Sequence, residues 1–111
     1  MQTQDQTQNQ KLIQAETQTI DLDTPVKMGD LEIKQLEIRK PNVQALQGVK
    51  IADLLQGDVN SICTILPRIS SPTLTKAEIN QLEPSDIAQV AGVVMIFLQT
   101  KSVRAQLLQQ Q

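Results

Sequence analysis

The apolar residues change their spacing once along this chain, and that change determines the fold class that can be expected. From Thr19 to Arg39 they follow the two-residue period of a strand with one buried face. After Pro41 they recur at three- and four-residue intervals, which is the spacing of helices. This order predicts an α+β domain in which an N-terminal two-stranded antiparallel hairpin packs on a small C-terminal helical bundle.

The hairpin is predicted from the two residues Gly29 and Asp30, which suit a two-residue turn with glycine first. A turn here predicts three cross-strand pairs, two between apolar residues and one between opposite charges: Met28 with Leu31, Val26 with Ile33, and Lys27 with Glu32. A two-stranded hairpin is not stable alone, so its apolar face is expected to lie on the helices.

The alternation slips by one residue between Ile33 and Leu36, so we expect a one-residue bulge near Lys34–Gln35 in the second strand. This bulge predicts a register with three further pairs: Leu36 with Thr24, Ile38 with Leu22, and Asp21 with Arg39. The same register sets Asp23 opposite Glu37, a like-charge pair that weighs against it.

The two ends of the chain differ in composition from its middle. Residues 1–18 alternate Gln with Thr, Asp and Asn and contain few apolar side chains, which predicts a disordered Gln-rich tail. A Gln-rich self-association segment is the alternative. Residues 19–102 are predicted to form a single hairpin-plus-helices domain, and residues 103–111 either extend the last helix or fray.

Capping residues and glycines divide the region after Pro41 into short helices. A turn or short helix over 43–47 is ended by Gly48, and a helix over 51–56 is ended by Gly57. Asp58 is predicted to cap the next helix, which Pro67 ends. The inward face of that helix is predicted to carry Val59, Ile62, Cys63 and Leu66. A loop is expected over 68–74.

The last two helices have clear start signals. Thr75 and Glu78 have the spacing of a capping box, and the short helix that follows presents Ile79 and Leu82. Pro84 is placed at the first position of the last long helix, with Asp86 in its first turn. Lys101 and Arg104 are expected toward the end of that same helix.

The last helix is apolar around most of its circumference from Val90 onward. Its inward stripe is predicted to be Ile87, Val90, Ala91, Val94, Phe97 and Leu98. One interpretation is a central helix covered by the hairpin and the short helices. The other is contact with a second chain, for which the candidate protein-binding residues are Val93, Ile96, Val94, Phe97 and Met95.

The composition of the chain argues against catalysis, metal binding and nucleic-acid binding. The chain has no His, Trp or Tyr and a single cysteine, Cys63, which we expect to be buried as a small hydrophobe. No catalytic residue, cofactor or metal is predicted, and the scattered cations and missing aromatics argue against nucleic-acid binding. A lone cysteine is typical of the cytoplasm. No signal peptide is recognised, and the longest apolar run is too short to span a membrane.

Several short motifs together resemble the tail assembly chaperone family of Mu-like, contractile-tailed bacteriophages and prophages. The resemblance covers about residues 19–98 and follows the family order of motifs: Leu36-Glu37-Ile38-Arg39-Lys40-Pro41, Ile51-Ala52-Asp53-Leu54-Leu55, Leu66-Pro67-Arg68-Ile69, and Leu82-x-Pro84-x-Asp86. The chain departs from the family at Ser70-Ser71, where a Thr-rich loop is common, and in its Gln-rich tail.

The resemblance implies a late, non-enzymatic morphogenesis protein of the host cytoplasm that binds the tape measure protein. Such a chaperone keeps its client soluble while tail tube subunits polymerise around it and is not retained in the mature virion. It also implies contact with the tail tube protein, a frameshifted longer form and a homo-oligomer, with no nucleic acid and no membrane. A minor structural tail protein and a small dimeric regulatory adaptor are the alternatives.

Arg68 either bonds helix-end carbonyls or is solvated.

Overall fold

The computed structural model describes residues 16–109, with side chains described as far as 107. It contains three strands and five helices, numbered here in chain order: β1 (Thr17–Met28), β2 (Leu31–Arg39), α1 (Ile51–Leu55), α2 (Val59–Ile69), β3 (Ser70–Ser71), α3 (Lys76–Ile79), α4 (Pro84–Phe97) and α5 (Lys101–Gln109). An antiparallel sheet with helices packed on one face confirms the predicted α+β class.

The predicted disordered tail lies outside the described residues except for its last three positions. Two of these, Thr17 and Gln18, already belong to β1, where they pair with Arg39 and Ile38. Strand β1 therefore begins at Thr17, two residues before the predicted boundary at residue 19. The limit at residue 102 stays a prediction.

The tip of the hairpin has the predicted register. Met28 pairs with Leu31, and the two following pairs also match the expected ones. Gly29 has a φ of +61°, a conformation that glycine adopts without the steric cost of a side chain. Turn chemistry and alternation together were therefore enough to set the pairing near the turn.

The predicted position of the bulge was wrong. The extra residues lie in β1 rather than in β2: four residues, 22–25, separate the paired residues Asp21 and Val26, whereas Lys34 alone separates their partners in β2. Leu36 therefore pairs with Ile20 instead of Thr24. Pro25 has no amide to give to the sheet, which favours an irregular segment here. The amides that leave the sheet are bound by a side chain of α4, as described below.

A third strand was missed, and the end of α2 was misplaced. Pro67 lies inside α2, which continues to Ile69, and the next two residues pair with Glu37 and Ile38 as β3. The predicted loop over 68–74 therefore begins later. Ile69 and Ser70 are fully buried, so burial of this segment offsets the hydrogen bond that a proline removes from a helix.

The face that α2 turns inward is also shifted from the predicted one. Val59 is 56% exposed and Cys63 only partly buried. The buried residues of α2 are Ser61, Ile62, Ile65, Leu66 and Ile69. The predicted cap is confirmed, because the Asp58 carboxylate accepts the Ser61 amide at 2.9 Å.

The predicted last helix is two helices. α4 ends at Phe97, and α5 begins at Lys101 after a tight turn. The hydroxyl of Thr100 accepts the Val103 amide at 3.3 Å, and the Thr100 carbonyl accepts the Arg104 amide. Thr100 thus begins a new helix as its N-terminal capping residue, a position that threonine favours. The segment after residue 98 is therefore not a simple continuation of α4.

The core lies between the sheet and helices α1, α2 and α4. α4 packs against β1, α1 and α2, so it is the element that joins the two parts of the fold. Apart from Phe97 the core is aliphatic, and its fully buried members include Val26, Leu36, Ile38, Leu54, Ile62, Ile65, Leu66, Leu74, Val90 and Val94.

Candidate protein-binding surface

The start of α4 is attached to the irregular segment of β1 through Asp86. This side chain is fully buried, and its carboxylate accepts the backbone amides of Asp23 at 2.7 Å and Thr24 at 3.4 Å. These are the amides that the sheet does not use. The role of the Leu82-x-Pro84-x-Asp86 motif is therefore to join the last long helix to the hairpin, in addition to any favourable effect of the helix dipole.

Further side chains strengthen this attachment along the outer edge of β1. Gln89 donates to the Asp21 carbonyl and to the Asp86 carboxylate, both at 2.9 Å. Gln81, just before α4, bonds both the amide and the carbonyl of Lys27 at 2.9 Å. Because these bonds hold α4 at both the bulge and the edge, they also determine which residues of the helix face outward.

The five candidate binding residues do not lie on one surface. Val94 and Phe97 are in the core, with exposed fractions of 0% and 6%. Val93 is partly buried and packs against that core. Ile96 is partly exposed and Met95 is 37% exposed. Met95 and Ile96 are thus the candidates available for contact with another chain, and the binding role itself stays a prediction.

The outward side of α4 is uncharged. Ala88, Gly92 and Met95 are exposed and follow the i, i+4, i+7 spacing of one helical face, with Ile96 beside them. We call these four residues the α4 outer face. No charged residue occurs between Asp86 and Lys101. A side-chain carbon added at Gly92 would meet nothing within 4 Å, so a partner could approach the helix backbone closely there.

Sequence reasoning missed Ala88 and Gly92 because it searched for large apolar side chains. The signal that could have identified them is the lack of charge over the whole length of α4 after its first turn. A small residue on an uncharged helical face contributes access for a partner rather than contact area of its own. A search for large hydrophobic side chains therefore does not detect such a residue.

A second apolar region is the groove between α2 and α3. It has a volume of about 650 Å³ and is lined by four apolar or thiol side chains, Val59, Cys63, Pro67 and Ile79, and by four polar ones, Asn60, Thr64, Lys76 and Asn80. Partial burial raises the pKa of the Cys63 thiol, so this side chain stays protonated near neutral pH and acts as a small apolar contact.

The perturbed carboxyl groups of the described residues belong to helix starts. Hydrogen bonds from the Ser61 hydroxyl and amide lower the pKa of Asp58. The amide and hydroxyl of Thr75 do the same for Glu78, which confirms that predicted cap. Within residues 16–109 no three His, Cys, Asp or Glu side chains are grouped as metal ligands would be. None of the helices within these residues has the length and hydrophobicity of a membrane-spanning segment.

Arg68 has the first of its two predicted roles. Its guanidinium Nη1 donates to the carbonyls of Ala45 at 2.9 Å and Gln47 at 2.8 Å, while its own carbonyl accepts from Arg39 at 3.0 Å. These carbonyls end the turn before Gly48. The Leu66-Pro67-Arg68-Ile69 motif therefore ties α2 to the segment that follows the sheet.

Comparison with known proteins assigns the chain to a class. The family model described as phage tail assembly chaperone proteins, E, or 41 or 14, matches residues 19–99. This match spans most of the chain, including the hairpin, the Arg68 motif and the attachment of α4. The chain belongs to this family, which confirms the resemblance drawn from its motifs.

Two proteins of Escherichia phage P2 are similar to this chain. Tail assembly protein E is 39% identical over 85 residues, which cover 77% of this chain and 93% of that protein. Tail assembly protein E' is 39% identical over 79 residues, which cover 71% of this chain and 56% of that protein. No solved structure is significantly similar to this chain. These similarities support a role of this chain in tail assembly.

Proposed function

We propose that this chain binds the tape measure protein through the α4 outer face and keeps it soluble in the host cytoplasm until tail tube subunits polymerise around it. The chain is then released and is absent from the mature virion. The observation that carries the proposal is the uncharged outer face of a helix whose opposite side is fully used by the core.

The physical support comes from how such a surface recognises a helix. An apolar strip on one helix accepts the apolar face of an amphipathic client helix. Burying one aliphatic side chain contributes about 1.5–3 kcal/mol before the costs of association are subtracted. The face has two large side chains, Met95 and Ile96, so one chain binds weakly. Several chains along a long client gain avidity and still release it easily.

The family relatives support a longer second product. This chain matches nearly all of tail assembly protein E and about half of tail assembly protein E' at the same identity. We therefore propose that a frameshifted longer form shares the fold described here and adds a C-terminal segment. That segment is the part we expect to contact the tail tube protein, while the shared fold binds the tape measure protein.

The direct test is co-expression of the chain with the tape measure protein from the same tail gene cluster. Met95→Asp and Ile96→Asp place a charge on the α4 outer face. We expect about 10- to 100-fold weaker binding for each, because one buried aliphatic contact is lost. The soluble fraction of the tape measure protein should fall in parallel.

Val43→Asp is the matched control, because Val43 is 76% exposed and belongs to the turn after β2 rather than to α4. It introduces the same charge and should leave binding unchanged. Circular dichroism melting must show that each variant is folded. Normal binding by folded Met95→Asp and Ile96→Asp would exclude this face, and normal client solubility without the chain would exclude the chaperone role.

Release from the finished tail has its own test. Mass spectrometry of purified virions should find the chain absent or in traces relative to tail tube and tape measure proteins. Stoichiometric recovery from virions would identify it as a structural tail subunit instead.

A further inference from the structure

The two outer edges of the sheet are treated differently by the fold. The outer edge of β1 is covered by side chains, since Gln81 bonds the main chain of Lys27, Asp86 bonds Asp23 and Thr24, and Gln89 bonds Asp21. On the other side of the sheet β3 pairs only with Glu37 and Ile38 of β2. Residues 31–35 of β2 therefore have no neighbouring strand on their outer side within the part of the chain that the structure describes.

The register shows which main-chain groups this open edge presents. Lys27 directs its amide and carbonyl away from β2, because both bond Gln81. Glu32 is the partner of Lys27 in the antiparallel ladder, so these two residues form a non-hydrogen-bonded pair. In such a pair the amide and carbonyl of each residue point away from the opposite strand. The amide and carbonyl of Glu32 therefore point outward from β2. No side chain within residues 16–109 bonds them.

The side chains of the open edge have a self-complementary order. Glu32 and Lys34 are both exposed and lie on either side of Ile33. If two copies of β2 pair antiparallel with Ile33 opposite Ile33, each Glu32 faces the Lys34 of the other copy. Opposite charges directly across such a pair are stabilising, and like charges are destabilising.

The length of the open edge fits the same arrangement. Ile33 is the middle residue of 31–35, so a two-fold axis through Ile33 uses this whole stretch and stops before the residues that β3 occupies. The axis also sets Glu32 opposite Lys34 as a hydrogen-bonded pair, which is what the outward direction of the Glu32 groups requires. Leu31, which is 67% exposed, would be partly covered by the second copy.

We propose that two copies of this chain associate through the 31–35 edges of β2, so that their sheets join into one with the two β2 strands side by side across a two-fold axis. This dimer leaves the α4 outer face free on both copies, so it presents two client-binding surfaces at once. The dimer itself does not depend on the proposed client, because it involves this chain alone.

Charge reversal tests the proposal through a pattern that general destabilisation cannot produce. Glu32→Lys and Lys34→Glu each turn both cross-strand contacts of the dimer into like-charge contacts. We expect the dissociation constant of each variant alone to rise at least about tenfold. A mixture of the two variants should form a mixed dimer, because every contact is then between opposite charges. The double variant Glu32→Lys/Lys34→Glu should regain the dimer.

Sedimentation velocity across a concentration series, with native mass spectrometry for the mixed dimer, measures these populations. Lys50→Glu is the control for Lys34→Glu, since it changes the net charge equally at an exposed position outside the sheet. Slower hydrogen exchange of the Glu32 amide at high concentration would locate the contact on the edge. A wild-type chain that stays monomeric at all soluble concentrations overturns the proposal. A dimer that is indifferent to both reversals, with no preference for the mixed species, also overturns it.

Discussion

The attachment of α4 to the bulge of β1 predicts that Asp86→Ala strongly destabilises the fold. Asp86 is fully buried and accepts two backbone amides, from Asp23 and Thr24, together with the side-chain amide of Gln89. Alanine cannot accept any of them. The Asp23 amide, at 2.7 Å, loses the shortest of these bonds and has no alternative partner in the sheet.

The magnitude follows from the number and kind of bonds. A hydrogen bond to a charged group contributes about 1.5–3 kcal/mol, and a buried amide left without an acceptor costs about 1–3 kcal/mol. We expect Asp86→Ala to lower the free energy of unfolding by about 3 kcal/mol, counting the 3.4 Å contact of Thr24 as weak. A domain of this size has about 5–15 kcal/mol in total, so the loss is a large fraction.

Equilibrium urea unfolding followed by circular dichroism is the assay. The midpoint should fall while the slope stays unchanged, because the surface exposed on unfolding is nearly the same. Asp53→Ala is the matched control: Asp53 lies in the first turn of α1 and tests the effect of removing an acidic residue from a helix start. Equal or greater stability of Asp86→Ala would refute the reasoning, because burial of the carboxylate would then cost as much as its bonds contribute.

Two further predictions concern the turns and caps. Arg68→Ala should lower the free energy of unfolding by about 1 kcal/mol, since two neutral carbonyl acceptors lose their donor. It should also speed hydrogen exchange in residues 43–49 relative to the rest of the chain. Unchanged exchange in these residues would contradict the assigned role of Arg68. The pKa of Glu78 is lowered because the amide and hydroxyl of Thr75 bond its carboxylate. The carboxylate therefore stabilises the fold above the unfolded-state pKa of about 4, and this stabilisation is lost as the pH falls through the lower folded-state pKa. The melting temperature of Glu78→Gln should therefore lie below that of the wild type at neutral pH and approach it in acid, and parallel melting curves across that range would count against this linkage.

The parts of the fold that were predicted correctly depend on local chemistry. Gly29-Asp30 set the pairing at the hairpin tip, and Asp58 and the Thr75–Glu78 pair marked helix starts where the structure has them. Each of these features is decided by a few neighbouring residues, because caps and tight turns satisfy backbone groups close by in the chain. Such features can be predicted without knowing the rest of the fold.

The errors share a different cause. The bulge was placed in β2 because alternation slips there, but β1 contains the extra residues since Asp86, more than 60 positions away, accepts their amides. Pro67 predicted a helix end, yet α2 continues because the residues beyond it are buried against the sheet. In both cases a contact distant in sequence outweighed a local preference.

For the same reason, the sequence did not show which of the candidate binding residues are accessible. Five apolar residues near the end of α4 were selected because the helix is apolar on nearly every side. Periodicity cannot distinguish the covered from the open faces of such a helix. The bonds of Asp86 and Gln89 to β1 fix its rotation, so Val94 and Phe97 point into the core while Met95 and Ile96 face outward.

The amino-acid order therefore determines the class of fold, the hairpin turn, the helix starts and the aliphatic core, because these follow from periodicity and from hydrogen bonds between near neighbours. Tertiary packing decides where the sheet is interrupted, how α4 is rotated, which edge of β2 stays open and which apolar side chains remain available to a partner. The physical reason is that a buried carboxylate and the backbone amides it accepts form their hydrogen bonds only when the fold brings them together. No local pattern in the chain specifies that contact.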